Sequence, residues 1–241
     1  MKPITIVKMG ADGAMYLLFL FLMAQYLLPG APHEWLGISV GILFLAHNAL
    51  NYKWYKALFK GRYNVLRTVQ TAVNFLLWLG MLGCMVSGII VAESVFYINA
   101  VNAYEFGRAL HLVATAWTFL LMSVHLGLHW AMFVGFTKRI PVSQTVRTIL
   151  SWIFRISVTA ICAYGLYHFI EARYWEELFH LIDFQKEYDY EQSLFSYLLG
   201  SAALSVLFAA AAYYAKKLYL YCKRRKARIA KEKNPYKEST L

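Results

Sequence analysis

Seven histidines punctuate this chain of 241 residues, and five of them fall on two predicted helices. His33 and His47 lie on one; His111, His125 and His129 lie on the other. An ionisable residue inside a membrane is costly, so each of these is a functional candidate by default. The spacing is regular: 14 residues separate His33 from His47, and 14 separate His111 from His125. On a helix, 14 steps of ~100° fall about 40° short of four turns, so each pair shares a face. At ~1.5 Å per residue the two members of a pair stand about 21 Å apart. A single membrane histidine is usually an interhelical hydrogen bonder, whereas four at matched spacing suit metal ligation.

What chemistry they could do depends on the helices that carry them. Apolar runs near the ~20 residues needed to cross ~30 Å of hydrocarbon fall at about 13–30, 34–54, 71–92, 108–134, 148–170 and 194–215. The first is short and carries Asp12, and Pro29-Gly30-Ala31-Pro32 reads as a tight turn after it. No small-x-small cleavage site follows, so it is kept as a helix and not as a signal peptide. The expectation is an all-α integral membrane protein of six spans.

Charge sets the direction of those spans. The chain is 60% hydrophobic and 15% charged, against ~45–50% and ~25% in soluble domains, which argues against a soluble enzyme. Its net charge is nevertheless +11. With a cytoplasmic N-terminus, every Lys and Arg except Arg108, Arg173 and Lys186 falls on the inner side. The outer segments carry the acids, from Glu34, Glu93 and Glu105 to Glu171, Glu176, Glu177 and the run between Asp183 and Glu191. The positive-inside rule therefore favours six spans with both termini cytoplasmic. The tail Lys223-Arg224-Arg225-Lys226-Ala227-Arg228 directly follows an apolar span, so it reads as a stop-transfer segment meeting anionic headgroups and not as a nucleic-acid patch.

In this topology the second and fourth helices run parallel. His33 then shares a level with His111, near the outer face, and His47 shares a deeper level with His125. Two facing imidazoles at each of two levels meet the requirements of haem b: two axial nitrogens, no covalent link and an apolar slot within a bundle. Gly37 and Gly41 on the face between His33 and His47 would let a flat ring approach the backbone, although Gly-x-x-x-Gly is equally a packing motif. Gly80, Gly83, Cys84, Ser87 and Gly88 thin the third helix in the same way. Arg108, one turn before His111, and Arg62 and Arg67 at the inner end could pair with propionates. His129, one turn below His125, stands as an alternative inner ligand, a propionate partner or a proton site. His168 and His180 read as surface histidines of the acidic outer loop, and Arg155 as a snorkelling residue or a contact to a propionate or quinone. Cys84, Cys162 and Cys222 form no C-x-x-C or C-x-x-C-H motif, so covalent c-type haem is not indicated.

The run His33-Glu34-Trp35-Leu36-Gly37, then His47, then Asn51-Tyr52-Lys53-Trp54, resembles the start of the flavinylation-associated cytochrome family. Gly61-Arg62-Tyr63, Arg67, Asn74 and Ser87-Gly88 resemble its inner loop and third helix. Gly107-Arg108-Ala109-Leu110-His111 and His125-Leu126-Gly127-Leu128-His129-Trp130 resemble its fourth. The resemblance covers about the first four helices; the histidine pattern alone also resembles cytochrome b subunits of quinol-oxidising complexes. The resemblance implies a four-helix cytochrome b-like core over 1–136; beyond it the apolar runs and charges give two further spans over 137–222 with an acidic outer loop and a basic cytoplasmic tail over 223–241. It further implies two b haems in a bacterial inner-membrane protein, passing electrons between the quinone pool and an extracytoplasmic flavoprotein. His33, His47, His111 and His125 carry over as ligands, and the flavin mononucleotide belongs to the partner.

Two other classes remain open. A membrane di-iron oxygenase or zinc protease would use His125-x-x-x-His129, but it needs ligands clustered at one depth. His33-Glu34 begins H-E-x-x-H, yet position 37 is Gly37, so the zinc motif fails. A cofactor-free scaffold or transporter would use the histidines for packing or proton movement.

Overall fold

In a computed structural model of the chain, residues 3–96, 101–137, 141–179 and 193–233 are described, and every regular element among them is helical. The helices are α1 (Pro3–Leu22), α2 (Ala31–Leu50), α3 (Tyr52–Leu58), α4 (Val65–Val91), α5 (Tyr104–Thr137), α6 (Gln144–Glu171), α7 (Tyr174–Leu178) and α8 (Leu194–Lys233). Five stretches are long and apolar enough to cross a membrane: Ile4–Leu22, Val65–Val91, Tyr104–Ala131, Gln144–Glu171 and Leu194–Ile229. The expected second span corresponds to α2, a helix of 20 residues, about 30 Å at ~1.5 Å each. It falls outside the apolar set because His33, Glu34, His47 and Asn48 lower its hydropathy.

Neighbouring elements fix the direction of each helix. Lys8 Nζ donates to Asn51 Oδ1 at 3.0 Å, and Asp12 meets His47 at 2.6 Å, so α1 and α2 are antiparallel. Ser87 meets His111 and Asn74 meets His125, so α4 and α5 are antiparallel. Glu34 at the start of α2 meets the residues that follow α4, and His33 meets His111, so α2 and α5 run the same way, as the charge sorting predicts. α5 packs on α4 and α8, α6 packs on α8, and α2 packs chiefly on α1 with only a sparse contact to α4.

Small residues permit the close crossings, as is usual when lipid removes the hydrophobic drive between helices. A side chain at Gly127 would run into the Ala209 carbonyl of α8, and one at Gly165 into the Ala203 carbonyl. Polar groups tie the same surfaces together. Ser123 Oγ bonds Phe119 O at 2.8 Å and Ser205 Oγ at 2.9 Å, with both serines buried. At the His33 end, Trp117 Nε1 donates to Leu178 O at 2.8 Å and Tyr174 donates to Ala116 O at 2.7 Å. Burial, reinforced by Glu177 and Tyr197, holds the Tyr174 hydroxyl well above its ordinary pKa. Tyr197, on α8, reaches Met23 O at 2.6 Å and anchors the end of α1.

Three boundaries differ from expectation. The first helix spans Pro3–Leu22 and not 13–30; a short 3₁₀ turn at Gln25–Leu27 and Gly30 at φ 68° follow it. Pro32 lies in the first turn of α2 instead of in a turn between spans, where its missing N–H would be an orphan donor anyway. The last helix does not stop near 215. Alanine, lysine and arginine are strong helix formers, and α8 continues for 40 residues through the basic run. At about 60 Å it is twice the ~30 Å of a hydrocarbon core.

Candidate functional site

The histidines do assemble at two levels. At one level the rings of His33 and His111 lie 6.2 Å apart, centroid to centroid, and 76° from coplanar. At the other, His125 lies within electrostatic reach of His47, Asp12 and His129. His129 is brought against His125, with ring centroids 4.7 Å apart, and it feels Lys216 from α8. Lys216 Nζ itself donates to Leu128 O at 2.5 Å.

Three of the four paired imidazoles have a side-chain oxygen on the same nitrogen. His111 Nδ1 meets Ser87 Oγ at 3.0 Å, His47 Nδ1 meets Asp12 Oδ1 at 2.6 Å, and His125 Nδ1 meets Asn74 Oδ1 at 2.8 Å. A carboxylate or amide oxygen only accepts, so His47 and His125 carry their proton on Nδ1. The hydroxyl of Ser87 is directed at Gly83 O, so its oxygen also accepts from His111. In all three rings the lone pair is therefore left on Nε2. Metal-ligating histidines show this arrangement, with one nitrogen donating to an acceptor while the other faces the metal. His33 differs: its Nδ1 is buried without a hydrogen-bond partner, a costly state for a polar atom.

The His33–His111 level has the spacing that a metal-centred group held between two imidazoles would need, since two such rings each bonded at about 2 Å to one metal ion would hold their centroids roughly 6 Å apart. The donor set is neutral nitrogen with no thiolate or carboxylate in the first rank, as b-type haem requires. Among the described residues no group of three or more His, Cys, Asp and Glu gathers as a compact metal site. Pairs separated along two parallel helices would not form one.

The glycines divide by role. A side chain at Gly88 would touch His111 Cε1 at 3.3 Å, so Gly88 seats that imidazole. Gly41 abuts Met85, whereas nothing lies within 4 Å of a side chain placed at Gly37. Gly80 and Gly83 face Thr118 and Ala114 and serve the α4–α5 crossing. A scan of family models finds no match, and searches of curated proteins and solved structures find no significant similarity.

Not every candidate joins the histidines. Arg67 Nη2 donates to Ala57 O at 2.6 Å and its guanidinium stacks 4.2 Å from the Tyr63 ring centroid, so it closes the turn between α3 and α4. Arg108 lies in the first turns of α5, one turn before His111, as expected. Arg155 is exposed on α6 with its guanidinium 5.4 Å from the Trp152 ring, in keeping with a snorkelling residue. His168, expected at the surface, is buried: it packs where a side chain at Gly200 would collide with its ring. It lines a cavity of about 50 Å³ with Tyr174, Tyr197 and Met23, room for a few waters but not for a cofactor. His180 lies outside the described residues.

Sequence reasoning missed Asp12 as a partner. The signal was present, since a carboxylate inside an apolar run needs one, but the partner, His47, is 35 residues away. Glu34, an outer acid and part of the His33 motif in the sequence, has a structural role that the sequence does not reveal. Its carboxylate accepts the backbone N–H groups of Glu93, Ser94 and Val95 at 3.0, 2.9 and 2.6 Å, fastening the segment after α4 to the residue beside His33.

Proposed function

We propose that this chain is a membrane electron-transfer protein holding two b-type haems, one between His33 and His111 and one between His47 and His125. The observation that carries this is the oxygen acceptor on Nδ1 of His47, His111 and His125, which leaves Nε2 of each ring available to iron. Bound haem supplies a reversible one-electron couple. The chain's own residues do the rest. Ser87, Asp12 and Asn74 fix the tautomer and orientation of the ligands, Gly88 gives His111 its seat, and the helices around the sites exclude water. α2 acts as the sixth span, its polar residues turned to good use as ligands and anchors.

The motif resemblance over the first four helices supports a further step. Both termini are placed in the cytoplasm of a bacterium, the His47 level nearer the inner face, and electrons pass between the quinone pool and an extracytoplasmic flavoprotein. The last two helices belong to this chain's own elaboration of that core. His129 stands behind His125 as a proton site or propionate partner.

Purified protein expressed with ample haem is the test. A reduced-minus-oxidised spectrum should show b-type bands with about two haems per chain, and a spectrum without them would refute the proposal. The Asp12–His47 hydrogen bond also suits a proton-carrying membrane protein. Full transport function in haem-free protein would favour that second reading.

A further inference from the structure

The two levels differ in what backs their ligands. His47 has a carboxylate on Nδ1 at 2.6 Å and His125 has an amide oxygen at 2.8 Å. His111 has neutral oxygens only, the Ser87 hydroxyl and the Cys84 carbonyl, and His33 Nδ1 has no hydrogen-bond partner. An anionic acceptor pulls the Nδ1 proton away from the ring, makes the imidazole a more basic ligand and favours the higher oxidation state of the metal. We infer that Asp12, acting through His47, is a positioning residue that makes the His47–His125 site the more reducing of the two. This rests on the two-haem proposal above.

Other charges lie near each level; Asp12 is the one whose hydrogen bond to a ligand ring is seen directly among the described residues. Lys8, at the same end as His47, spends its ammonium on Asn51 Oδ1. Lys216 donates to the Leu128 carbonyl and faces His129. At the other level the carboxylate of Glu34 accepts three backbone N–H groups of residues 93–95 and acts on the His33 ring through space, not through a hydrogen bond. Asp12 is the carboxylate in direct hydrogen-bond contact with a candidate ligand, so its effect is the most local.

The experiment is a spectroscopic redox titration of the full-length protein. His33→Ala, which retains the His47 level, assigns the midpoints. In the unaltered protein the lower midpoint should belong to that level. Asp12→Asn keeps the shape and removes the charge. It should raise that midpoint by about tenfold in the one-electron equilibrium, about 59 mV, and leave the other in place. Asn74→Asp should lower the same midpoint, and it alone decides the matter if Asp12→Asn fails to retain the haem. A lower midpoint at the His33 level, or a His47-level midpoint unmoved by the substitutions, overturns the inference while leaving two haems in place. Absence of haem from the unaltered protein overturns the proposed function and this inference with it.

Discussion

Ser87→Ala is the most informative single substitution. Ser87 is fully buried on α4, its hydroxyl directed to Gly83 O and its oxygen accepting from His111 Nδ1 at 3.0 Å. Removing the oxygen costs α4 little, because the Gly83 carbonyl lies within a continuous helix. It takes away the side-chain acceptor of the His111 Nδ1–H and leaves it the Cys84 carbonyl alone, at about 1–3 kcal/mol. The ring can escape that cost by moving its proton to Nε2, the nitrogen needed by iron. Ligation then has to reverse the move, so affinity at this level should fall by about 5- to 140-fold, at 1.4 kcal/mol per factor of ten. Loss of an outer-shell partner typically costs 10–100-fold in metal affinity, in the same range. The assay is a haem titration of the apoprotein followed by the Soret band, with the two sites resolved as two binding phases. One phase should weaken and the other should not, while thermal unfolding of the apoprotein changes by no more than a few degrees. Unaltered affinity in both phases, or equal loss in both, would refute the assignment of Ser87 as the partner that holds His111 in its ligating tautomer.

Further outcomes follow from other contacts. His33→Ala and His47→Ala, made separately, should each lower the haem-to-protein ratio from about two to about one, read by pyridine haemochrome and protein assay. Glu34→Ala unties three backbone N–H groups and should lower the unfolding midpoint by several degrees and expose residues 92–96 to protease. Gly127→Leu forces a side chain into the Ala209 carbonyl; overpacking of this kind costs about 1–3 kcal/mol or more, measurable as reduced thermal stability in detergent. Tyr174→Phe removes the bond to Ala116 O and should cost about 1 kcal/mol without changing any haem spectrum.

The level pairing was legible in the sequence because it needs only helix geometry and charge. Fourteen residues bring a side chain back to nearly the same face, and the lopsided distribution of Lys and Arg makes the second and fourth apolar runs parallel. The partners of the histidines were less accessible. Asn74 and Ser87 stood out only through the family resemblance and as members of a thin helix face. Which imidazole each would meet depends on the register of α4 against α5, and that is set by how Gly80 and Gly83 accept Thr118 and Ala114. Asp12 was visible as an oddity, but the register of α1 on α2 fixes its contact. His168 looked like a surface residue because it ends a helix; a glycine 32 positions later makes room to bury it. The length of α8 was misjudged because apolarity ends well before helix propensity does.

The Glu34 clamp couples two things that are usually independent, the mobility of a surface connection and the placement of a ligand. A carboxylate holding three successive backbone amides moves with them as one body, and His33 is the next residue along the chain. Any protein that settled on residues 93–95 and shifted them would tug directly on one of the four imidazoles. Occupancy of that surface would thus be reported at the ring through the adjacent residue, with no need for a rearrangement of the helices between.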